Sequence, residues 1–89
     1  MNFLLIGHSV VDKIIDNDRK SIKPGGVFYS VVSFLSQMES EDKLYLCSSI
    51  NIENESLFMD AYNKIERDYL VYTNSIPQVE LTIHETGER

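Results

Sequence analysis

The chain has 89 residues, 43% of them hydrophobic and 25% charged, and its eight Lys and Arg against fourteen Asp and Glu give a formal net charge of -6. That length holds a single hydrophobic core, and that composition excludes both a disordered chain and a fibrous one. The acidic balance, with no cluster of Lys and Arg to interrupt it, argues against a phosphate-backbone partner, so nucleic acid is not expected.

Asn2 to Ile6 is a short apolar run ended by Gly7, the pattern of a strand buried on both faces of a parallel sheet. No basic segment precedes it, and it is too short for a signal peptide or a membrane span; no membrane partner is expected, and the cytoplasm is the default compartment. Val10 to Ile15 is again apolar and β-branched around Asp12 and Lys13, and Asp16-Asn17-Asp18 supplies turn residues. A hairpin returning through Ser21-Ile22 follows, closed by Lys23-Pro24-Gly25-Gly26.

From Gly25 to Met38 the glycine pair opens a helix whose apolar residues Phe28, Val31, Val32 and Leu35 fall on one face. Glu39-Ser40-Glu41-Asp42 is a solvated connection, and Leu44 to Cys47 reads as a second buried strand. Cys47 is the single cysteine, so it cannot form an internal disulfide, and its apolar run predicts a buried core thiol. A helix between two buried strands is a βαβ crossover, and an α/β fold with a parallel sheet results. Asn51 or Asn54 is placed to cap a second helix carrying Phe58, Ala61, Tyr62 and Ile65 at helical spacing. Leu70 to Tyr72 reads as a third strand. Val79, Leu81 and Ile83 alternate with Glu80, Thr82 and His84 in a half-exposed one. Glu85-Thr86-Gly87-Glu88 signals a turn whose returning strand the sequence does not reach, so the chain reads as cut in mid-hairpin.

Asp12 lies just beyond the first strand, at the carboxyl edge where ligands of open α/β sheets collect. An ionised Asp accepts hydrogen bonds only, which suits the hydroxyls of a sugar or polyol; a solvated turn residue is the plainer alternative. Gly25-Gly26 would let backbone approach a ligand at a helix N-terminus, or would simply turn the chain into the helix. The pair lacks the third glycine of a dinucleotide fingerprint. His8 near the same edge has no partner carboxylate at a fixed spacing, and His84 has no second His or Cys beside it, so no metal is assigned. No phosphate loop, nucleophile elbow or Cys-His pair completes a catalytic set.

Taken in order, Leu4-Leu5-Ile6-Gly7, then Asp12, then Gly25-Gly26 opening a helix with Ser30 and Val31, resembles the amino-terminal half of the PfkB-type carbohydrate kinases, the ribokinase-like family. The resemblance continues through Leu46-Cys47-Ser48-Ser49 and the second helix, and Ile76-Pro77 to Arg89 is similar to the strand entering the family's lid. It implies a ribokinase-like, Rossmann-like parallel-sheet fragment with a short lid hairpin. Residues 1-89 would then form the substrate-side portion of one domain, ending before the nucleotide-binding half. By the same resemblance Asp12, Gly25, Gly26 and Ser30 are substrate-binding. The catalytic Gly-Ala-Gly-Asp motif belongs to the carboxyl-terminal half, so no catalytic or cofactor-binding residue is assigned here. ATP and Mg2+ are implied for the full-length parent, which would phosphorylate a hydroxyl of a sugar or related alcohol. Ser30 stands where the family has Asn, and Ser49-Ile50-Asn51 with Asn54 replaces Gly-Asp-Asp and a later Gly.

The rival reading is a small α/β binding module that self-associates as a homodimer through its open sheet edge. The reading frame beyond Arg89 separates the two. On the order of 200 further residues carrying Gly-Ala-Gly-Asp are expected for the kinase, and a stop codon directly after Arg89 counts against it.

Overall fold

A computed structural model describes residues 1-83, so the turn expected at Glu85 to Glu88 and the placement of His84 lie outside the described residues. Six strands and two helices follow in the order β1 (Asn2–Ile6), β2 (Ser9–Asp16), β3 (Arg19–Gly26), α1 (Val27–Leu35), β4 (Lys43–Ile50), α2 (Glu55–Tyr62), β5 (Leu70–Tyr72) and β6 (Gln78–Ile83). A single 3-10 turn, Ile52–Asn54, leads into α2. The helix expected from Gly25 to Met38 is shorter, because β3 runs on through both glycines and Ser36 ends α1.

The strands form two sheets, β1-β4-β5 and β3-β2-β6. In the first, β1 and β4 are parallel, from Asn2 opposite Lys43 to Ile6 opposite Cys47, and β5 runs parallel to β4 on its far side. The connection from β1 to β4 contains a hairpin as well as the helix. In that hairpin β2 and β3 pair antiparallel from Ser9 opposite Gly26 to Asp16 opposite Arg19. Asn17-Asp18 makes the two-residue turn, with Asn17 at φ 56, a left-handed conformation that asparagine tolerates. β6 then adds parallel to β2, from Val11 opposite Gln78 to Asp16 opposite Ile83, so the hairpin becomes a three-stranded sheet.

Both helices cover one face of the first sheet. Leu44, Leu46 and Ile50 of β4 point into a core with Val31 of α1 and Phe58, Ala61 and Tyr62 of α2, and Ile65 and Ile76 close it. The stripe expected on the second helix is thus the buried one. Aromatic rings fix how the helices meet, with Phe28 5.9 Å from Phe58 and 6.1 Å from Tyr62 between centroids, distances at which tilted rings attract. Truncating Phe58, which is fully buried, would cost about 3–5 kcal/mol.

The opposite face is bare, which corrects two sequence expectations. β1 is covered on one face only: Phe3 and Leu5 pack on the core, while Leu4 is 54% exposed and Ile6 72%. Cys47 is opposite Ile6 and shares its face, so the thiol is exposed and not a core thiol. The apolar run carried no alternation from which a one-sided sheet could be read. Neither Asn51 nor Asn54 caps a helix through its side chain. Instead the Asn54 side-chain amide donates to Oδ1 of Asn51 at 3.2 Å. No helix among the described residues is long and apolar enough to cross a membrane.

The second sheet projects from this layer. Every residue from Asp16 to Lys23 is exposed, and so is every described side chain of β6 from Gln78 to Thr82. The radius of gyration is 15.0 Å, against about 12 Å for a compact chain of this length.

At the other end of the molecule, the Met1 ammonium donates to Asp42 Oδ1 at 2.9 Å, and the Glu39 N–H donates to Oδ2 at 2.9 Å. The backbone donor first and the ammonium second hold the Asp42 carboxyl below its ordinary value of 3.8. A carboxyl depressed on folding stabilises above its unfolded value, and that contribution disappears as pH falls through the folded one. We expect Asp42→Asn to melt below wild type at pH 7, and the two melting curves to converge at acid pH below the usual carboxylate range. A gap that persists there would show that charge at Asp42 is not the cause.

Candidate functional site

β1 delivers the chain into β2 at the carboxyl edge of the parallel sheet, and the β2–β3 hairpin brings it back to α1 at the same edge. Asp12 and Gly25 meet there. Val10 is opposite Gly25 and Asp12 opposite Lys23, so Asp12 and Gly25 are diagonal neighbours with side-chain positions on one face. Gly25 is buried, and a Cβ there would overlap the Asp12 carboxylate, with Cγ only 2.8 Å away. The carboxylate occupies the space a Cβ at position 25 would need, so any other residue there would displace it.

Gly26 answers to a different demand. Its φ of +67 is left-handed, and a Cβ would collide with the His8 carbonyl and with Cβ of Val10 at 3.2 Å. The turn brings the Val27 N–H onto that carbonyl at 2.8 Å, so α1 starts against the β1–β2 junction. No side chain caps α1, and its first turn carries no acidic residue. The unpaired N–H groups of a helix's first turn carry partial positive charge.

Asp12 is half-buried, and no side-chain hydrogen bond occupies it among the described residues. Lys23 opposes it in register without forming an ion pair; the pair between Met1 and Asp42 is the one such contact among the described residues. Its acceptor oxygens are therefore available to a ligand. Ser30, one turn into α1, is exposed and bonds neither Asp12 nor the glycines, so the structure brings three of the four expected residues together. His8 takes part through its backbone carbonyl while its side chain is exposed.

Reading the sequence missed two polar features near this edge. Asn51, just after β4 and expected only as a helix cap, is 4% exposed with its side chain turned to Asn54. Ser9, which opens β2, is fully buried, and its Oγ lies 2.8 Å from both Ser48 Oγ and Tyr62 Oη. Burial raises the Tyr62 phenol above its ordinary value of 10.0, and the Ser9 hydroxyl partly offsets this, so the phenol is neutral. A signal for Ser9 existed in its two-residue offset from Val11, which puts both on the core-facing side of β2. The apolar groove of about 420 Å³ between α1 and α2, lined by Phe28, Val32, Leu35 and Ala61 with Asp60 and Lys64, shares no residue with the Asp12–Gly25 site.

The parallel layer with a projecting second sheet is a ribokinase-like fold. It superposes with a TM-score of 0.71 on the ribokinase from Cryptococcus neoformans var. grubii serotype A solved in complex with ADP, covering 98% of this chain and 32% of that one at 11% identity. The Methanocaldococcus jannaschii nucleoside kinase, an archaeal member of the ribokinase family, gives 0.70 over 98% of this chain and 34% of that one at 14% identity. The chain thus spans about a third of the length of these solved structures. No protein-family model matches the sequence, and no curated protein matches it.

The packing of Asp12 on Gly25 is open to a double-mutant cycle. We expect Gly25→Ala to destabilise the wild-type chain by about 1–3 kcal/mol in urea unfolding, because the new methyl displaces the carboxylate. In an Asp12→Ala background the same change is expected to cost less than half as much. Equal costs in both backgrounds would show that the two residues do not meet.

Proposed function

We propose that this chain is the acceptor-binding portion of a ribokinase-like kinase, whose substrate is a sugar or a sugar-containing alcohol such as a nucleoside. The observation that carries the reading is the half-buried Asp12 carboxylate laid against Gly25 where α1 begins. The ribokinase-like fold supports it.

The chemistry of the site favours hydroxyl donors over anions. A helix N-terminus attracts negative charge, but a phosphate placed here would meet the Asp12 carboxylate and be repelled by it. Hydroxyls suffer no such conflict: they donate to the carboxylate in charge-assisted hydrogen bonds, and they accept from backbone N–H groups. A polyol with adjacent hydroxyls therefore fits the edge better than a phosphorylated one. Gly25 and Gly26 contribute backbone that a ligand can approach without a Cβ in the way, and Ser30 would add a short hydroxyl from the next turn.

Phosphoryl transfer needs more than these residues supply. It rests on positioning, a base for the acceptor hydroxyl, and donors and Mg2+ around the transferring charge. The described residues contain no group of three or more His, Cys, Asp or Glu side chains able to hold a metal ion. In this reading ATP and Mg2+ belong to the remainder of the parent enzyme. What this chain does is bind and orient the acceptor.

Titrating the 15N-labelled chain with D-ribose, and separately with adenosine, tests the reading directly. We expect amide shifts concentrated at Asp12, Gly25, Gly26 and Val27, and a loss of affinity of about tenfold or more in Asp12→Asn, which keeps the shape and removes the charge. Absence of shifts at those amides with either probe would sink the assignment.

A further inference from the structure

We infer that the buried hydroxyl cluster of Ser9, Ser48 and Tyr62 sets the orientation of the second sheet on the first layer, and so makes Ser48 and Tyr62 positioning residues for Asp12. The link to a ligand rests on the acceptor-site reading above; the geometric inference stands apart from it.

The second sheet is fixed to the molecule only at its base. From Asp16 to Lys23 the hairpin is exposed throughout, and the buried residues of β2 are Ser9 and Val11, with Gly25 of β3 opposite Val10 and Ile76 just before β6. Apolar contacts such as those of Val11 and Ile76 resist separation but define direction poorly, since hydrophobic attraction is non-directional. Hydrogen bonds define direction, because they weaken steeply with distance and angle. Among the described residues, the only side-chain hydrogen bonds that join the second sheet to the first layer are those of Ser9. One runs to Ser48 in β4 and the other to Tyr62 at the end of α2, each at 2.8 Å. Two anchors on different elements hold the first residue of β2 against rotation in two directions.

The chemistry of the cluster is closed. Ser9 has one O–H to donate and lone pairs to accept with, so it gives to one neighbour and receives from the other. Ser9 and Tyr62 are fully buried and Ser48 is 8% exposed, and no buried side-chain polar atom among the described residues lacks a partner. Removing the Ser48 or the Tyr62 hydroxyl takes one of Ser9's two anchors and leaves one of its hydrogen bonds unmade in the core, so the base of β2 is held in one direction only and shifts. Asp12 sits three residues further along the same strand, so a small rotation at Ser9 is carried outward to the carboxylate. The backbone bond from Gly7 N–H to Cys47 O at 3.2 Å precedes Ser9, and that from Val27 N–H to His8 O at 2.8 Å ties the start of α1 to the β1–β2 junction; neither engages β2 beyond Ser9.

The test uses residual dipolar couplings of backbone amides to measure the angle between β2-β3-β6 and β1-β4-β5 in wild type, Tyr62→Phe, Ser48→Ala and Ser48→Thr. Tyr62→Phe keeps the ring packing and removes only the hydroxyl. We expect Tyr62→Phe and Ser48→Ala each to change the angle beyond the spread of wild-type replicates, while Ser48→Thr, which retains a hydroxyl, leaves it unchanged. In the same samples D-ribose affinity is expected to fall about tenfold in the first two and to be retained in the third. A folded Tyr62→Phe or Ser48→Ala chain with the wild-type angle overturns the inference, since a packing role alone would lower the melting temperature without rotating the sheet. Failure of wild type itself to bind D-ribose or adenosine refutes the acceptor-site reading instead, and the angle still decides the role of the cluster.

Discussion

The conformation at Gly26 is the constraint on which the rest of the structure depends. A left-handed φ there turns the chain from β3 into α1 within one residue, and places the helix start on the His8 carbonyl, directly after β1. Without that turn the hairpin could not both leave and return at one edge of the parallel sheet. Because it does, α1 can still cover β1 and β4 as an ordinary crossover helix, with the second sheet extending from the same point. The core and the candidate site are therefore joined through one glycine. Replacing it would impose backbone strain and a clash with a main-chain carbonyl, neither of which a rotamer change relieves.

Much of this was legible in the sequence because the signals were local. Asp16-Asn17-Asp18 after the β-branched Val10 to Ile15 marked the hairpin turn, Pro24-Gly25-Gly26 marked the passage into the helix, and Phe58, Ala61, Tyr62 and Ile65 marked a buried face by their spacing. The features that escaped are those set by distant partners. Leu4 and Ile6 are as apolar as Phe3 and Leu5, so nothing in β1 says which face the helices will take. Cys47 was misjudged for the same reason, since it closes the apolar run from Leu44 and its exposure depends on the register with Ile6. The pairing of β6 with β2 joins residues more than sixty positions apart, and no local pattern encodes it. Asn51 and Asn54 were plausible caps by residue type, yet the amide of one is taken by the other. The hydroxyl cluster was invisible as a cluster, because Ser9, Ser48 and Tyr62 are each unremarkable alone.

At the candidate site the division is similar. Asp12 and Gly25-Gly26 could be named from position and from a family resemblance, while their contact could not. That contact arises from the antiparallel register, which makes residue 25 the diagonal neighbour of residue 12 and explains why a glycine is needed there. Ser30 shows the converse: its place in the sequence pattern was clear, and its exposed position one turn along α1 follows from where the helix begins. An amide at that position would reach further than a hydroxyl. In the proposed acceptor site the shorter side chain would leave more of the ligand's orientation to Asp12 and to backbone donors.

The bare face of the first sheet bears on the choice between an acceptor-binding portion and a self-associating module. Leu4, Ile6 and Val71 are each more than half exposed on it, with Cys47 between them. Parallel sheets are stable when helices cover both faces, and apolar residues on both faces of β1 are the composition of such a strand. A module built to pair through a strand edge would gain backbone hydrogen bonds at β1 or β5, but it would leave these side chains in water. Edge pairing thus answers the unpaired N–H and C=O groups and not the exposed apolar surface. A larger α/β sheet answers both, because further strands extend the edge and their crossover helices lie across the face. That difference in what each arrangement would bury favours a larger α/β sheet over edge-to-edge self-association.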